Sequence, residues 1–359
     1  MKISIVTFHC AHNYGAVLQA YALQEYLRSS GHQAHIVDYR PDKLMMPYRL
    51  WNKHRYIGSL IQCVKALIID VLTFCRRSIK SYRFERFISQ YIKPILSERA
   101  HNADVIVVGS DQIWNHKFTN WDKTYFGIIG GNNSLPVISY AASMEDVELT
   151  NSQQEELKKL LSHINYISVR EKILKLFLEN ILSKPILQVL DPTLLINPST
   201  WKHFVKSKPI RDYLLIYDMK NRLDIDDFAQ PICQKNGYEI KKINPEVHKE
   251  YRKGVFQTLS PIQFVNLFGN AQYVVTTSFH GTAFALIFNI PFVVVKCNDN
   301  KESRLISLLH MLDLDDRIVD SPSKLPKQDI NWGRVNARLT EARKESRCFL
   351  KNALDGCSK

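Results

Sequence analysis

The sequence predicts an α/β protein made of two doubly wound, Rossmann-like domains facing a cleft. Three observations carry that expectation. Short β-branched runs alternate with segments of helical period along nearly the whole chain, and the runs are near-continuously apolar. That is the pattern of parallel sheets covered on both faces. At 359 residues the chain is longer than one core usually supports. The pattern also restarts after Asn197-Pro198-Ser199-Thr200, which places a boundary there. The expected organisation is an N-terminal domain over 1–197 with a basic insertion at 49–99, a C-terminal domain over 198–335, and a final helix within 336–359.

In the first half, Lys2–Phe8 predicts a strand, Ala16–Arg28 a helix stopped by Ser29-Ser30-Gly31, and His35–Tyr39 a second strand before Pro41. This βαβ opening puts the loop His9–Gly15 at a strand's carboxyl end, where α/β sheets bind ligands. It is not the dinucleotide fingerprint, since Gly15 stands where three glycines are needed. Asn13 and Gly15 are candidates for close ligand approach. Asp104–Val108 predicts a buried strand feeding the polar loop Gly109–Asn115. Val137–Tyr140, Ile167–Val169 and Gln188–Leu190 are further strands, delivering Ala141–Ser143, Arg170-Glu171 and Asp191-Pro192. Arg170 has two readings, a ligand contact or an ion pair with a nearby acid. Asp191-Pro192 reads as a turn and helix entry.

Residues 49–99 differ in character: eleven lysines and arginines face only Asp70, Glu85 and Glu98. Tyr56–Cys75 is mostly apolar, but Lys65 and Asp70 inside it make it fall short of a membrane span. An amphipathic basic helix is expected, either packed on the domain with a solvated basic face or lying on an anionic leaflet.

In the second half, strands are expected at Tyr213–Tyr217, Tyr238–Ile243, Tyr273–Thr276 and Phe292–Val295. Helices are expected near 223–235, 260–269, 281–288, 302–312 and 338–350. Between the last two strands, His280 is the one side chain that titrates near neutral pH, and it stands where strand hands over to helix. That point is a ligand crevice in an open α/β sheet, and the helix start suits an anion. The alternative is a buried histidine satisfied by its neighbours.

The formal charge of +13 predicts attraction to anions: nucleic acid, an acidic membrane face or phosphorylated substrates. No recognition motif or aromatic-interleaved basic stripe supports nucleic acid, so none is expected as a partner. Seven cysteines without a CxxC pair suggest reduced thiols. His9-Cys10-Ala11-His12 is too compact in sequence for its side chains to converge on a metal, and none is expected. The chain opens directly on a strand with no visible signal peptide, which gives an expectation of cytoplasmic location, with peripheral contact at the inner face of the membrane as a further option.

Six segments resemble, in order, the polysaccharide pyruvyl transferase family: Asn13–Gln24, Val108–Asn115, Ser168–Glu171, Asp191–Thr193, Ser278–Gly281 with the helix and Ile290–Val294 after it, and the 302–305 segment Glu-Ser-Arg-Leu. The resemblance spans about residues 1–320. One departure is visible: many members carry Arg-Leu-His-Gly where this chain has Ser278-Phe279-His280-Gly281. The resemblance implies a glycosyltransferase-B-like architecture and transfer of a pyruvyl group from phosphoenolpyruvate to two sugar hydroxyls, making a ketal. It also suggests a polyprenyl-diphosphate-linked oligosaccharide as acceptor, in surface polysaccharide biosynthesis.

That chemistry needs a proton for the enol carbon, a hold on a carboxylate, and an exit for phosphate. Arginines suit the anions and a histidine suits the proton. His280 is therefore assigned as general acid/base and Asp111 as candidate base for the sugar hydroxyl. Arg170, Arg304, Ser278 and Gly281 are assigned to the donor, and Asn13, Gly15 and Asn115 to the acceptor. No cofactor is expected beyond the donor substrate, and no metal, because arginines can neutralise the leaving phosphate. A nucleotide-sugar glycosyltransferase and a non-catalytic carbohydrate-binding relative are the alternatives.

Overall fold

The computed structural model describes residues 1–51, 56–131, 134–145, 147–206, 212–250, 252–297 and 303–358. Position 302, the first residue of one of the six family-like segments, and positions 52–55 of the basic insertion lie outside them.

Two six-stranded parallel sheets form the frame. The first contains β1 (Lys2–Val6), β2 (Gln33–Ile36), β3 (Val105–Val108), β4 (Val137–Ala142), β5 (Tyr166–Val169) and β6 (Ile186–Gln188), in the order β2-β1-β3-β4-β5-β6. The second contains β7 (Tyr213–Tyr217), β8 (Glu239–Ile243), β9 (Val255–Phe256), β10 (Tyr273–Thr276), β11 (Phe292–Val295) and β12 (Ile318–Val319), in the order β12-β11-β10-β7-β8-β9. The two doubly wound, Rossmann-like units expected from the sequence are present. Strand order reverses between β1 and β3 in one sheet and between β7 and β10 in the other. Each reversal opens a crevice beyond the strand ends. β9 and β12 were not expected from sequence; at two residues each they carry no periodicity.

Both faces of each sheet are covered, which is why β3, β4, β7 and β11 are buried at every position. The helix Tyr14–Ser29 and the helix Pro261–Gly269 join the two halves below the cleft. Tyr14 stacks on Phe264 at 4.5 Å and donates its hydroxyl to the Leu259 carbonyl at 3.1 Å. The last helix is longer than expected, Trp332–Cys357, and closes back on the first half. Its Ser346 Oγ accepts from Leu190 N at 2.9 Å, and Arg343 and Arg347 donate to the carbonyls of Leu194 and Leu195. Those bonds satisfy backbone groups around the short helix Pro192–Leu195.

The basic insertion folds as one long helix, Leu60–Phe87, started by a Ser59/Gln62 capping box. Four cations of this helix, Arg76, Arg77, Lys80 and Arg83, are held by protein partners and do not form the free basic face that either expected setting needs. Arg76 donates to the Lys249 carbonyl at 2.9 Å and to Gln257, Lys80 to the Pro245 carbonyl, and Arg83 to the Thr258 carbonyl at 2.6 Å. Arg77 pairs with Asp70 at 2.7 Å. Loop carbonyls at 245–258 need donors, and long cationic side chains supply them, so this stretch of the helix straps the second half to the first. No described helix is long and apolar enough to cross a membrane.

Candidate functional site

A cavity of about 510 Å³ lies between the two sheets, at both points of strand-order reversal. The first half contributes the loop after β1 (Phe8, Ala11, Asn13), the loop after β3 (Asp111, Gln112) and Glu145. The second contributes Tyr217 at the end of β7, Met219 after it, Thr277–His280 after β10, and Arg304. Three helix starts meet here. Asn13 caps Tyr14–Ser29 by accepting from Ala16 N at 3.3 Å, and Ser278 caps Phe279–Phe288 by accepting from Gly281 N at 3.4 Å. Arg304 stands in the first turn of Ser303–Leu312. The positive ends of these helices, with Lys43, Lys117, Lys220 and Arg304 in the wall, make the cavity suited to anions.

His280 is buried against the first half. Its ring lies over Gly15, where an added Cβ would come within 2.1 Å of Nδ1. Its Nε2 is buried, makes no hydrogen bond to any described residue, and lies 3.8 Å from Asp191 Oδ2. Burial holds the imidazole below the ordinary histidine pKa; Asp191 and Asp111 pull it up, and Arg170 and Arg304 push it down. Asp191 is wholly buried. Burial pushes its carboxyl up, but His280, Arg170 and the Thr193 donors outweigh that and leave its pKa lowered. It accepts from Arg170 at 2.7 Å and from Thr193 N at 2.9 Å. The sequence-based reading of Asp191 as helix entry is correct but incomplete. One carboxylate oxygen caps the helix Pro192–Leu195, and the other faces His280 and Arg170.

The remaining assignments divide. His280, Asp111, Arg304, Ser278 and Asn13 all line the cavity. Arg170 sits one layer behind it, with its charge already matched. Besides Asp191 it lies 3.5 Å from Glu171 and 3.7 Å from Asp111, and its guanidinium stacks 4.7 Å from the Phe279 ring centre. The ion-pair reading of Arg170 is therefore the one the geometry supports. Gly281 does not line the cavity; its N–H is taken by Ser278, and an added Cβ would meet Thr276 Oγ1 at 2.3 Å. Its role is close helix–strand packing. Gly15 likewise makes room for His280 instead of for a ligand. Asn115 is buried, and its Oδ1 caps the short helix His116–Thr119 by accepting from Lys117 N at 3.1 Å. Asp111 has a positive φ of 71° and accepts from the Gln112 N–H at 2.9 Å, so it combines local capping with a place in the wall.

Sequence reasoning missed Gln112, Glu145 and Tyr48. The Gln112 carboxamide lies between Asn115 and Arg304. Oriented one way its oxygen accepts from Asn115 at 2.7 Å; oriented the other it accepts from both terminal nitrogens of Arg304 at 3.0 and 2.8 Å. Glu145 holds Arg304 from the other side at 3.5 Å. Burial pushes the Tyr48 hydroxyl up to about 12, so it stays a donor at the cavity wall. Gln112 lies in a family-like segment and was open to notice; Glu145 and Tyr48 carry no local signal.

The two histidines of His9-Cys10-Ala11-His12 point to different acids. His9 Nε2 lies 2.9 Å from Asp38 and His12 Nε2 3.0 Å from Glu85, with Arg40 bridging the two carboxylates. Among the described residues no three metal-ligating side chains gather.

Similarity to solved structures covers nearly the whole chain at low identity. A UDP-GlcNAc 2-epimerase from Methanocaldococcus jannaschii is 14% identical with a TM-score of 0.48, over 98% of this chain and 100% of that one. Spinosyn forosaminyltransferase is 10% identical with a TM-score of 0.47, over 100% of both chains. An E. coli heptosyltransferase solved with ADP-2-deoxy-2-fluoro heptose is 12% identical with a TM-score of 0.41, over 96% of this chain and 100% of that one. No curated protein sequence matches the chain. A family model for polysaccharide pyruvyl transferase matches residues 13–299, which takes in the first sheet from Asn13 onward, the cavity wall through His280, and the second sheet through β11. The chain belongs to the polysaccharide pyruvyl transferase family.

Proposed function

We propose that the cavity binds phosphoenolpyruvate and transfers its pyruvyl group to two hydroxyls of a sugar, releasing phosphate. The supporting observation is the convergence of one buried histidine, a flanking carboxylate and three helix starts on a single cation-lined space. In this reading the donor's carboxylate and phosphate lie against Arg304, the cavity lysines and the helix ends. His280 protonates the enol carbon, turning CH2 into CH3 and leaving cationic character on the neighbouring carbon. A sugar hydroxyl adds there and loses its proton to Asp111. The bond between that carbon and the phosphate oxygen then breaks, phosphate leaving with the proton held on Asp111, and the second hydroxyl closes the ketal as its proton returns to His280. With Nε2 against Asp191, Nδ1 is the nitrogen left to exchange the proton. Nearby acids support the imidazolium, and a bound dianion adds to that support.

The volume of about 510 Å³ leaves room for an acceptor beside a three-carbon donor. We place the acceptor on a polyprenyl diphosphate, for which Lys43 and Lys117 on the first-half lip supply charge. The test is incubation with phosphoenolpyruvate and a panel of lipid-linked and short soluble sugars, followed by product mass and phosphate release. A product heavier by one pyruvyl ketal, with one phosphate per product, is expected. Binding of a nucleoside diphosphate sugar with no response to phosphoenolpyruvate would overturn the reading in favour of glycosyl transfer.

A further inference from the structure

The first half of the helix Leu60–Phe87 presents an apolar surface that is exposed among the described residues. Leu60 is 80% exposed, Ile61 67%, Ile68 52% and Leu72 58%, and Val64 and Val71 are likewise exposed. At 3.6 residues per turn, the exposed apolar positions from Phe74 round through Leu60 to Ile69 cover an arc of roughly 220°. Lys65, near one edge, is the only charge on that arc; Asp70 points inward to Arg77 and Tyr56. Beside the helix start, Trp51, Tyr56, Cys63, Val64 and Leu67 line an apolar groove of about 340 Å³. Trp51 follows three residues after Tyr48, which lines the active cavity.

We propose that this arc docks on an anionic lipid bilayer, lying flat at the boundary between headgroups and acyl chains. Three features select lipid over a second copy of the chain. A helix seam with one partner buries a stripe of about 100°, and this arc is twice as wide. Leu60–Phe74 is about 22 Å long, too short to span the ~30 Å hydrocarbon layer but suited to lie within one interface. The segment 49–99 is strongly cationic, eleven basic residues to three acidic, and the whole chain carries +13. Because Arg76, Arg77, Lys80 and Arg83 are held by the protein, apolar side chains drive this docking, with the cationic surroundings adding a preference for anionic lipid. The chain continuity from Tyr48 to Trp51 brings the lipid surface to the cavity lip. This gives the docking a purpose that rests on the lipid-linked acceptor proposed above.

The experiment is co-sedimentation of the full chain with phosphatidylglycerol/phosphatidylcholine (1:1) vesicles and with phosphatidylcholine vesicles, alongside the variant Leu60→Ser/Ile61→Ser/Ile68→Ser/Leu72→Ser. The wild-type chain should bind the mixed vesicles at least tenfold more tightly than the neutral ones. The variant should lose at least tenfold on the mixed vesicles with an unchanged melting temperature, since none of the four side chains is buried. The milder pair Leu60→Ser/Ile68→Ser should fall between. Turnover on a short soluble acceptor should be the same in all. Absent wild-type binding, equal binding of wild type and variants, or a wild-type dimer that the substitutions split without any vesicle effect, would each overturn the proposal. Vesicle binding with no phosphoenolpyruvate turnover on any acceptor would leave the docking standing and remove the pyruvyl transfer reading.

Discussion

A Cβ placed on Gly15 would lie 2.1 Å from Nδ1 of His280, so a glycine of the first half fixes where the His280 ring of the second half rests. Glycine in the first turn of Tyr14–Ser29 is a weak helix former, and alanine there would favour the helix by about 0.5–1 kcal/mol. Overpacking against the buried imidazole costs about 1–3 kcal/mol and outweighs that gain, so Gly15→Ala should lower the melting temperature modestly. The methyl group must push the imidazole aside, and turnover should fall by ~10²-fold or more, the scale of a misplaced acid/base. Full turnover in a folded Gly15→Ala protein would show that the His280–Gly15 contact has no part in the chemistry.

His280→Gln removes the titrating group while keeping a polar side chain of similar reach. Turnover should drop by ~10²- to 10⁴-fold. The pH effect has a definite sign. His280 sits below its ordinary 6.5 in the folded protein, chiefly through burial. Between the lowered value and 6.5 the unfolded chain binds more protons, so stability is held above 6.5 and lost as pH falls through that window. Unfolding curves from pH 8 to pH 5 should show a shallower acid loss in His280→Gln than in wild type. Identical slopes would mean that His280 does not titrate differently on folding.

How far these residues were legible in the sequence follows from their physics. β10, the helix after it and His280 near their junction were visible because apolar period and a lone titratable residue are local signals; the helix begins at Phe279, ahead of the expected 281, so His280 lies in its first turn. Asp191 lay in plain view as Asp-Pro-Thr, yet its reach across to His280 depends on how the halves close, which no local pattern records. Arg170 looked like an anion contact because it ends a strand; its three carboxylate neighbours come from two other loops and the adjacent residue. The inward turn of Arg83 and Lys80 was likewise hidden, since their carbonyl partners lie about 170 residues away.

Arg304 and Arg170 should now separate under the same conservative change. Arg304 lines the cavity, so Arg304→Lys loses the planar fork and should weaken phosphoenolpyruvate binding by about 1–3 kcal/mol. Arg170→Lys sits behind the wall among three acids and should act mainly on stability, because a buried pair that is imperfectly remade is costly. Titration calorimetry with the donor and thermal melting distinguish the two. Equal donor affinity loss in both variants would return Arg170 to the ligand site.

Asp191→Asn keeps the helix cap, since asparagine caps as well as aspartate, but removes the charge facing His280. The imidazole then loses the largest influence that raises its pKa, and burial and the two arginines act with less opposition. Turnover should fall with little change in donor KM, and the alkaline limb of the kcat/KM profile, where the His280 imidazolium loses its proton, should move to lower pH. A merely structural Asp191 would lower stability without moving that limb.

Charge reversal on the strap should unfold the link between halves. Arg76, Lys80 and Arg83 donate to main-chain carbonyls at Lys249, Pro245 and Thr258, and each such charge-assisted bond is worth about 1.5–3 kcal/mol. Replacing Arg83 by Glu sets a carboxylate against a carbonyl oxygen in a part-buried place, so loss of the bond is compounded by repulsion. Lys80 is the milder case. Burial already lowers its pKa to about 8, so the folded chain binds fewer protons than the unfolded one between that value and the ordinary 10.5. Its contribution to stability is accordingly held above 10.5 and lost as pH falls towards 8. Arg83→Glu should lower the melting temperature clearly, while Lys80→Met, which keeps the stem and removes the buried charge, should cost less. The same substitutions should leave vesicle binding of the surviving folded protein unchanged, because the exposed apolar arc lies earlier on the helix. A folded Arg83→Glu protein with wild-type stability and lost vesicle binding would place Arg83 at the membrane and not on the strap.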